Sequence, residues 1–341
     1  MRLPWYFVLP KERSQPSGGN IYNERIIQAL RQAEQSVEII SANDYLRAIY
    51  QGQSGTYWVD TLILESIREV LLLQPFRARS LLIAHHLESL APPAGQSAKD
   101  LRAKEKPWLD WFQGFLATSH FTKAYLLEQR VSQSIIVAEP GTDISANNIP
   151  DRDTTTIRVL IVANLVERKG ILPWLKWLAK NLKDRDQFSL TIVGRTDIEP
   201  AYAQYCQSTI ENHPMLRKQL RLVGSQPSHQ MAAFYQKSNL FISVASMETF
   251  GMALQEARMY RLPILALEGG YSAHHVEAGD NGYVFNNVLS LGDFFLNLIR
   301  EPAKFTTLYQ RTQQDSVTYS SWSQTARSLV QQFDQFFRYA P

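Results

Sequence analysis

Short apolar runs recur along the chain, separated by stretches in which apolar positions return every three or four residues. Runs of the first kind read as buried strands and stretches of the second kind as amphipathic helices. In the first half, strands are expected at Trp5 to Leu9, Val37 to Ser41, Leu81 to His85, Gly114 to Ser119 and Ser134 to Ala138. Helices are expected between them, notably over Ile21 to Arg31 and Thr61 to Leu73. In the second half the alternation continues at roughly 20 to 30 residues per strand–helix repeat, the spacing of βα units in a parallel sheet. The expected class is therefore α/β, with two doubly wound, Rossmann-like sheets facing each other across a cleft. The most polar, turn-rich junction runs from Ser145 to Thr156, with Asn147-Asn148, Pro150 and three consecutive threonines. Residues 1–150 and 151–321 are assigned to the two domains on that basis. A last amphipathic, aromatic-rich helix, Trp322 to Tyr339, follows.

Composition agrees with two full cores. The 341 residues are 45% hydrophobic and 20% charged, which excludes a disordered chain. A net charge of +3 with no basic stripe gives no reason to expect nucleic acid as a partner. The single cysteine, Cys206, excludes an intramolecular disulfide framework and suits a reducing cytoplasm. The apolar run Trp5 to Leu9 is closed by Pro10, too short for a signal-peptide core or for the roughly 20 residues of a membrane-spanning helix. A cytoplasmic location is expected. Residues 99–115 combine Lys99, Lys104 and Lys106 with Trp108, Trp111, Phe112 and Phe115. Peripheral contact with an anionic membrane face, and packing of these aromatics in the core, are both open for this stretch.

The densest chemical signal is Met247 to Tyr260, which reads Met-Glu-Thr-Phe-Gly-Met-Ala-Leu-Gln-Glu-Ala-Arg-Met-Tyr. The apolar run Leu240 to Ala245 precedes it as a strand, and a helix begins after Gly251. Glu248 then lies at a strand's carboxyl end, where open α/β sheets bind ligands, and the helix start aims unpaired N–H groups at an anion. Glu256, one turn along from Met252, is expected to turn back toward that site and accept hydrogen bonds from vicinal hydroxyls.

This segment resembles the signature of the family-4 retaining glycosyltransferases (group 1 glycosyl transferases) of the GT-B fold, usually E-G-F-G-x-x-x-x-E-A. Matching segments follow the family's order: Ile157 to Asn164 with Glu167-Arg-Lys-Gly170, Leu190 to Gly194, Leu220 to Gly224, Pro263 to Gly270, and Val276 to Gly282. Thinner matches in the first half are Gly18-Gly19-Asn20, Leu82 to His86, Ala117-Thr-Ser119 and Pro140-Gly-Thr-Asp143. The resemblance implies a metal-independent transferase that uses a nucleotide-diphosphate sugar as donor substrate, with no separate cofactor, and a hydroxyl acceptor, glycan or lipid-linked. It also implies that the last helix crosses back over the first domain.

Residue by residue, the resemblance gives Glu248 the contact with the donor sugar and Glu256 the contact with the ribose. The backbone at Phe250, Gly251 and Met252 would hold sugar hydroxyls and the diphosphate, and Lys169 would neutralise the leaving diphosphate. Gly18 and Gly19 would let the backbone approach the diphosphate in a turn before the helix from Ile21. His86, favoured slightly over His85, would lie near sugar or acceptor. Asn164 departs from the family, which usually carries Arg there; Arg168 or Arg195, the latter after Gly194, is expected to compensate. A second departure is Tyr271-Ser-Ala-His-His275, which replaces a Pro-Glu-hydrophobic step. The His85-His86 and His274-His275 pairs have no metal-ligand spacing, and the triplets Asp151-Arg-Asp153 and Asp184-Arg-Asp186 read as solvated loops, so no metal site is expected. Two rivals remain: a nucleotide-sugar-binding protein without turnover, and a GT-B epimerase or phosphorylase.

Overall fold

The computed structural model describes residues 4–10, 17–73, 78–93, 95–144, 149 and 151–337. The chain divides into two compact units, Met1–Asp143 with Tyr319–Pro341, and Ile144–Thr318. The sequence set the division at residues 150 and 321.

In the first unit the strands are β1 (Trp5–Val8), β2 (Val37–Ile40), β3 (Thr56–Asp60), β4 (Arg79–Ala84), β5 (Gly114–Ala117) and β6 (Ser134–Val137). All pair in parallel, in the order β2-β1-β3-β4-β5-β6. β3 escaped the sequence reading because its five residues, Thr-Tyr-Trp-Val-Asp, end in a carboxylate. That carboxylate, Asp60, is fully buried and caps the next helix, Thr61–Leu72, by accepting from the Leu62 N–H at 2.7 Å.

The helix Trp322–Phe337 belongs to this unit and packs on the helix Gly18–Gln32. Gln332 exchanges two hydrogen bonds with the Val137 backbone, at 3.1 and 2.9 Å, and Phe333 packs edge-on against Trp5. On the opposite face of the sheet, Trp108, Trp111, Phe112 and Phe115 are all buried in the core with Leu82, Leu109 and Leu126. The membrane reading of residues 99–115 therefore loses its aromatic anchors, which the core's need for large apolar side chains has taken.

The second unit holds β7 (Arg158–Val162), β8 (Ser189–Val193), β9 (Leu220–Leu222), β10 (Leu240–Ser243), β11 (Ile264–Leu267) and β12 (Gly282–Phe285). Their order is β12-β11-β10-β7-β8-β9, again all parallel. The chain winds outward from β7 to β9, jumps back beside β7, and winds the other way from β10. The switch point between β7 and β10 leaves a crevice at their carboxyl ends, because the connections after these two strands depart in opposite directions. Helix Ile171–Asn181 is anchored in the core by Trp174, Leu175, Trp177 and Leu178, with Trp174 and Trp177 stacked at 5.6 Å.

Neither Asp-Arg-Asp triplet is simply a solvated loop. Asp186 is fully buried and takes a bidentate pair from Arg300, at 2.9 and 2.7 Å. Arg152 is buried too, donating to the carbonyls of Gln236, Tyr235 and Tyr260. Both triplets are polar in sequence, but their buried members tie separate helices together, which no local pattern reveals.

The Arg300 hydrogen bonds hold the Asp186 carboxyl below the usual carboxylate range. Its stabilisation is fully present above about pH 3.9, the unfolded value, and is lost as pH falls through the lowered folded value. Asp186→Asn is expected to cost about 2 kcal/mol, read as a lower urea midpoint at neutral pH, with the difference from wild type closing in acid.

Candidate functional site

Two loops build the site at the switch point of the second unit. After β7 the chain makes a short 3-10 turn, Glu167–Lys169, and enters its helix through Gly170. Gly170 has φ +67°, and a Cβ there would lie 2.1 Å from the Val244 carbonyl oxygen. Only glycine permits both the left-handed backbone and that approach. The turn is therefore seated on the segment leaving β10, where the Ser246 N–H and hydroxyl both donate to the Arg168 carbonyl, at 3.1 and 3.0 Å.

After β10 the backbone at Glu248 is held by the loop after β11. The Glu248 N–H donates to the Gly269 carbonyl at 3.3 Å, and the Tyr271 N–H donates to the Glu248 carbonyl at 2.8 Å. The result is a contact between residues 79 apart: Lys169 Nζ donates to Glu248 Oε1 at 2.5 Å. Both side chains are mostly buried, 14% and 17% exposed. Burial lowers the Lys169 pKa, the Glu248 charge opposes that, and neighbouring Arg168 adds to the lowering. An ammonium so poised is ready to exchange its carboxylate for a more highly charged phosphate oxygen.

Beside this pair the helix Met252–Met259 starts at Gly251, which has φ +88° and offers no side-chain cap. The N–H groups of Phe250, Gly251, Met252 and Ala253 donate to no protein acceptor among the described residues. Such a row of donors at a helix start attracts an anion. Glu248 and Lys169 thus lie with Phe250, Gly251 and Met252 in one place.

The remaining expected residues fare differently. Glu256 is half-buried on the same helix, and its charge acts on the phenols of Tyr235 and Tyr260. Burial first, then Glu256, raises the Tyr235 pKa. The Asn164 Oδ1 accepts from the Arg195 N–H at 3.1 Å and ties the exits of β7 and β8 together. Gly194 serves the same seam, since a Cβ there would meet the Ala163 carbonyl at 1.9 Å. The Arg195 guanidinium is engaged bidentately by Asp197, at 2.9 and 2.8 Å. Arg168 is exposed and contributes its carbonyl to the seam.

In the first unit, Gly18 and Gly19 form the first turn of helix Gly18–Gln32, capped by Ser17, rather than a turn before a helix from Ile21. A Cβ on Gly19 would lie 3.2 Å from the His85 ring, so the glycine accommodates that histidine. His85 is buried, with Nε2 3.0 Å from Asn23 Oδ1 and 3.7 Å from Asp60 Oδ2. Burial pushes the Asp60 carboxyl up and His85 down. His86 is half-buried. Sequence reasoning missed the Asn23–Asp60–His85 cluster because its members come from three separate elements. It also missed His275, whose ring Nε2 lies 2.7 Å from the Phe250 carbonyl oxygen.

Among the described residues no group of three or more His, Cys, Asp and Glu is arranged to hold a metal ion. No helix among them is long and apolar enough to cross a membrane.

Comparison with known proteins fits this geometry. Residues 145–295 match the family described as "Glycosyl transferases group 1". The serotype-specific mannosyltransferase WbdA of Escherichia coli is 20% identical over 258 residues, 73% of this chain and 29% of that protein. The chain thus spans less than a third of the length of the curated relatives it matches. The sucrose-phosphate synthase of Thermosynechococcus elongatus superposes with a TM-score of 0.77 at 18% identity, covering 99% of this chain and 100% of that one. HepE of Anabaena, solved with UDP-glucose, gives 0.74 at 14% identity, covering 98% and 100%. The chain thus has the GT-B fold of these structures, and its segment 145–295, which spans the Lys169–Glu248 site, is similar to the group 1 glycosyl transferases.

Proposed function

We propose that the protein transfers a glycosyl group from a nucleotide-diphosphate sugar to a hydroxyl acceptor, with retention of anomeric configuration and without a metal ion. The observation that carries this reading is the Lys169–Glu248 pair beside the uncommitted N–H groups at the start of helix Met252–Met259.

In this scheme the diphosphate takes the Lys169 ammonium and the helix-start amides as partners. The bond between the anomeric carbon and the phosphate oxygen breaks, and its electron pair stays on that oxygen. The ammonium and the amides are already in place where that charge develops, so no reorganisation is needed as it forms. Glu248, released from Lys169, faces the sugar and offsets positive charge at the anomeric centre. The acceptor oxygen forms its bond on the same face, and its proton passes to the leaving phosphate oxygen. Glu256 binds the ribose.

Because HepE was solved with UDP-glucose and WbdA is described as a mannosyltransferase, UDP-glucose and GDP-mannose are the first donors to test. Calorimetric titration against UDP-, GDP- and ADP-sugars should show one preferred donor. Glu256→Ala and Lys169→Ala should each weaken it about ten-fold or more, consistent with loss of a charge-assisted hydrogen bond. EDTA should leave turnover unchanged. Binding of no donor would overturn the transferase reading.

One observation favours a second reading, a nucleotide-sugar-binding protein without turnover: the uncharged Asn164, whose Oδ1 accepts from the Arg195 N–H, stands where the family usually carries Arg. Donor binding with no transfer to any acceptor, and retained by Glu248→Ala, would select it.

A further inference from the structure

We infer that His275 is a positioning residue for donor binding, holding the Phe250–Gly251 peptide in the one orientation that presents the Gly251 N–H at the helix start. Its role rests on the donor-binding reading above. His275 is fully buried, and its Nε2 lies 2.7 Å from the Phe250 carbonyl oxygen. A carbonyl only accepts, so Nε2 carries the hydrogen.

The ring has little freedom to leave this position. It stands edge-on to Phe250 at 5.1 Å and to Tyr271 at 5.8 Å, and Asn281 Nδ2 donates to the His275 carbonyl at 3.1 Å. Burial, more than its charged neighbours, pushes the ring pKa down to about 4, so it stays neutral at ordinary pH.

The consequence follows from peptide geometry. In a trans peptide the C=O and N–H point in opposite directions. Turning the Phe250 carbonyl toward His275 therefore turns the Gly251 N–H away from it. The next peptide is already fixed, because the Gly251 carbonyl accepts from the Leu254 and Gln255 N–H groups at 2.9 and 3.0 Å. The Phe250–Gly251 peptide is the one left to be set, and a glycine on its C-terminal side tolerates either sense. Flipped, it would aim a carbonyl oxygen where the donor's diphosphate is to sit. His275 comes from Tyr271–His275, in the loop that also holds the Glu248 backbone through the Tyr271 N–H.

The test compares His275→Phe, which keeps a ring without the donor, with His275→Gln, whose amide can still donate. Titrations use UDP-glucose, GDP-mannose and ADP-glucose, with melting temperatures recorded alongside. The dissociation constant of the donor that wild type binds should rise about ten-fold or more in His275→Phe and recover most of that loss in His275→Gln, at matched melting temperatures. Unchanged affinity in His275→Phe overturns the role.

Should that variant fail to fold, wild type decides by NMR. The His275 ring should show the Nε2–H tautomer at neutral pH, and the Gly251 amide proton should move downfield when the donor is added. An Nδ1–H tautomer, or an unmoved Gly251 amide, overturns the role. A wild-type protein that binds none of the three sugars overturns the donor reading, and the role of His275 with it.

Discussion

Lys169→Met is expected to lower kcat/KM by about 10³-fold, the scale of removing a preorganised charge from a developing anion. Methionine keeps the length and apolar stem of the side chain, so the loss isolates the ammonium. Fold stability should change little, because the Glu248 carboxylate left behind retains some access to water. The same ammonium sets a pH signature. Burial lowers the Lys169 pKa from its ordinary 10.5, with Glu248 opposing. In the free enzyme the alkaline limb of kcat/KM should accordingly fall at a lower pH than an ordinary lysine would give. The linked effect on stability has the opposite sense: between the lowered folded value and the unfolded one, the unfolded chain binds more protons, so stability rises with pH in that window. Steady-state rates across alkaline pH, with urea midpoints at the same pH values, check both. A profile flat to pH 10.5 would exclude Lys169 as the titrating group.

Glu248→Gln is expected to lower kcat by about 10²- to 10³-fold, as for other electrostatic partners of a transition state, while donor affinity falls much less. The amide keeps the shape and one acceptor oxygen but loses the charge that offsets the positive anomeric carbon. It also removes the charge that holds the Lys169 pKa up, so the alkaline limb should move to still lower pH. The double variant Lys169→Met/Glu248→Gln should lose less than the sum of the two single losses, because each residue is the other's partner in the free protein. Full additivity of the logarithms would mean that the pair seen here has no role in the reaction. Normal turnover in Glu248→Gln would remove that carboxylate from the mechanism altogether.

Much of the fold could be read from one dimension. β1, β2, β4, β5, β6 and β10 are mostly apolar runs, and the helix after Gly251 follows a short turn, so neighbouring residues carry the signal. β3 was missed because it is brief and ends in a buried carboxylate whose cap on the next helix is visible only once that helix exists. The start of the first helix was placed three residues late, since a Gly-Gly pair signals a turn by propensity, whereas Ser17 caps a helix that includes both glycines. Of the site, Glu248 was named from its place at a strand's carboxyl end, and Lys169 and the Phe250–Met252 backbone from the family resemblance. What the sequence did not show is that the Asn164 Oδ1 accepts from the Arg195 N–H and that the Arg195 guanidinium pairs with Asp197. A side chain's partner depends on loops that meet only after the sheet is ordered, and no window of sequence contains both.

By itself the sequence determined the α/β class, the repeat of strand and helix, and which residue types stand at the strand ends, because periodicity and turn chemistry act over a few consecutive residues. Tertiary structure decided which of those residues meet. Lys169 reaches Glu248 because the sheet order brings β7 beside β10, although eighty residues of chain separate their ends, and because Gly170 allows the turn to sit against Val244. It buried Asp186 against Arg300, took the aromatics of residues 99–115 into the core, and placed His275 under the Phe250 carbonyl. Each of these contacts joins segments far apart in the chain. Their energies depend on burial and on distances of a few ångströms, quantities that come into being only when the sheets form.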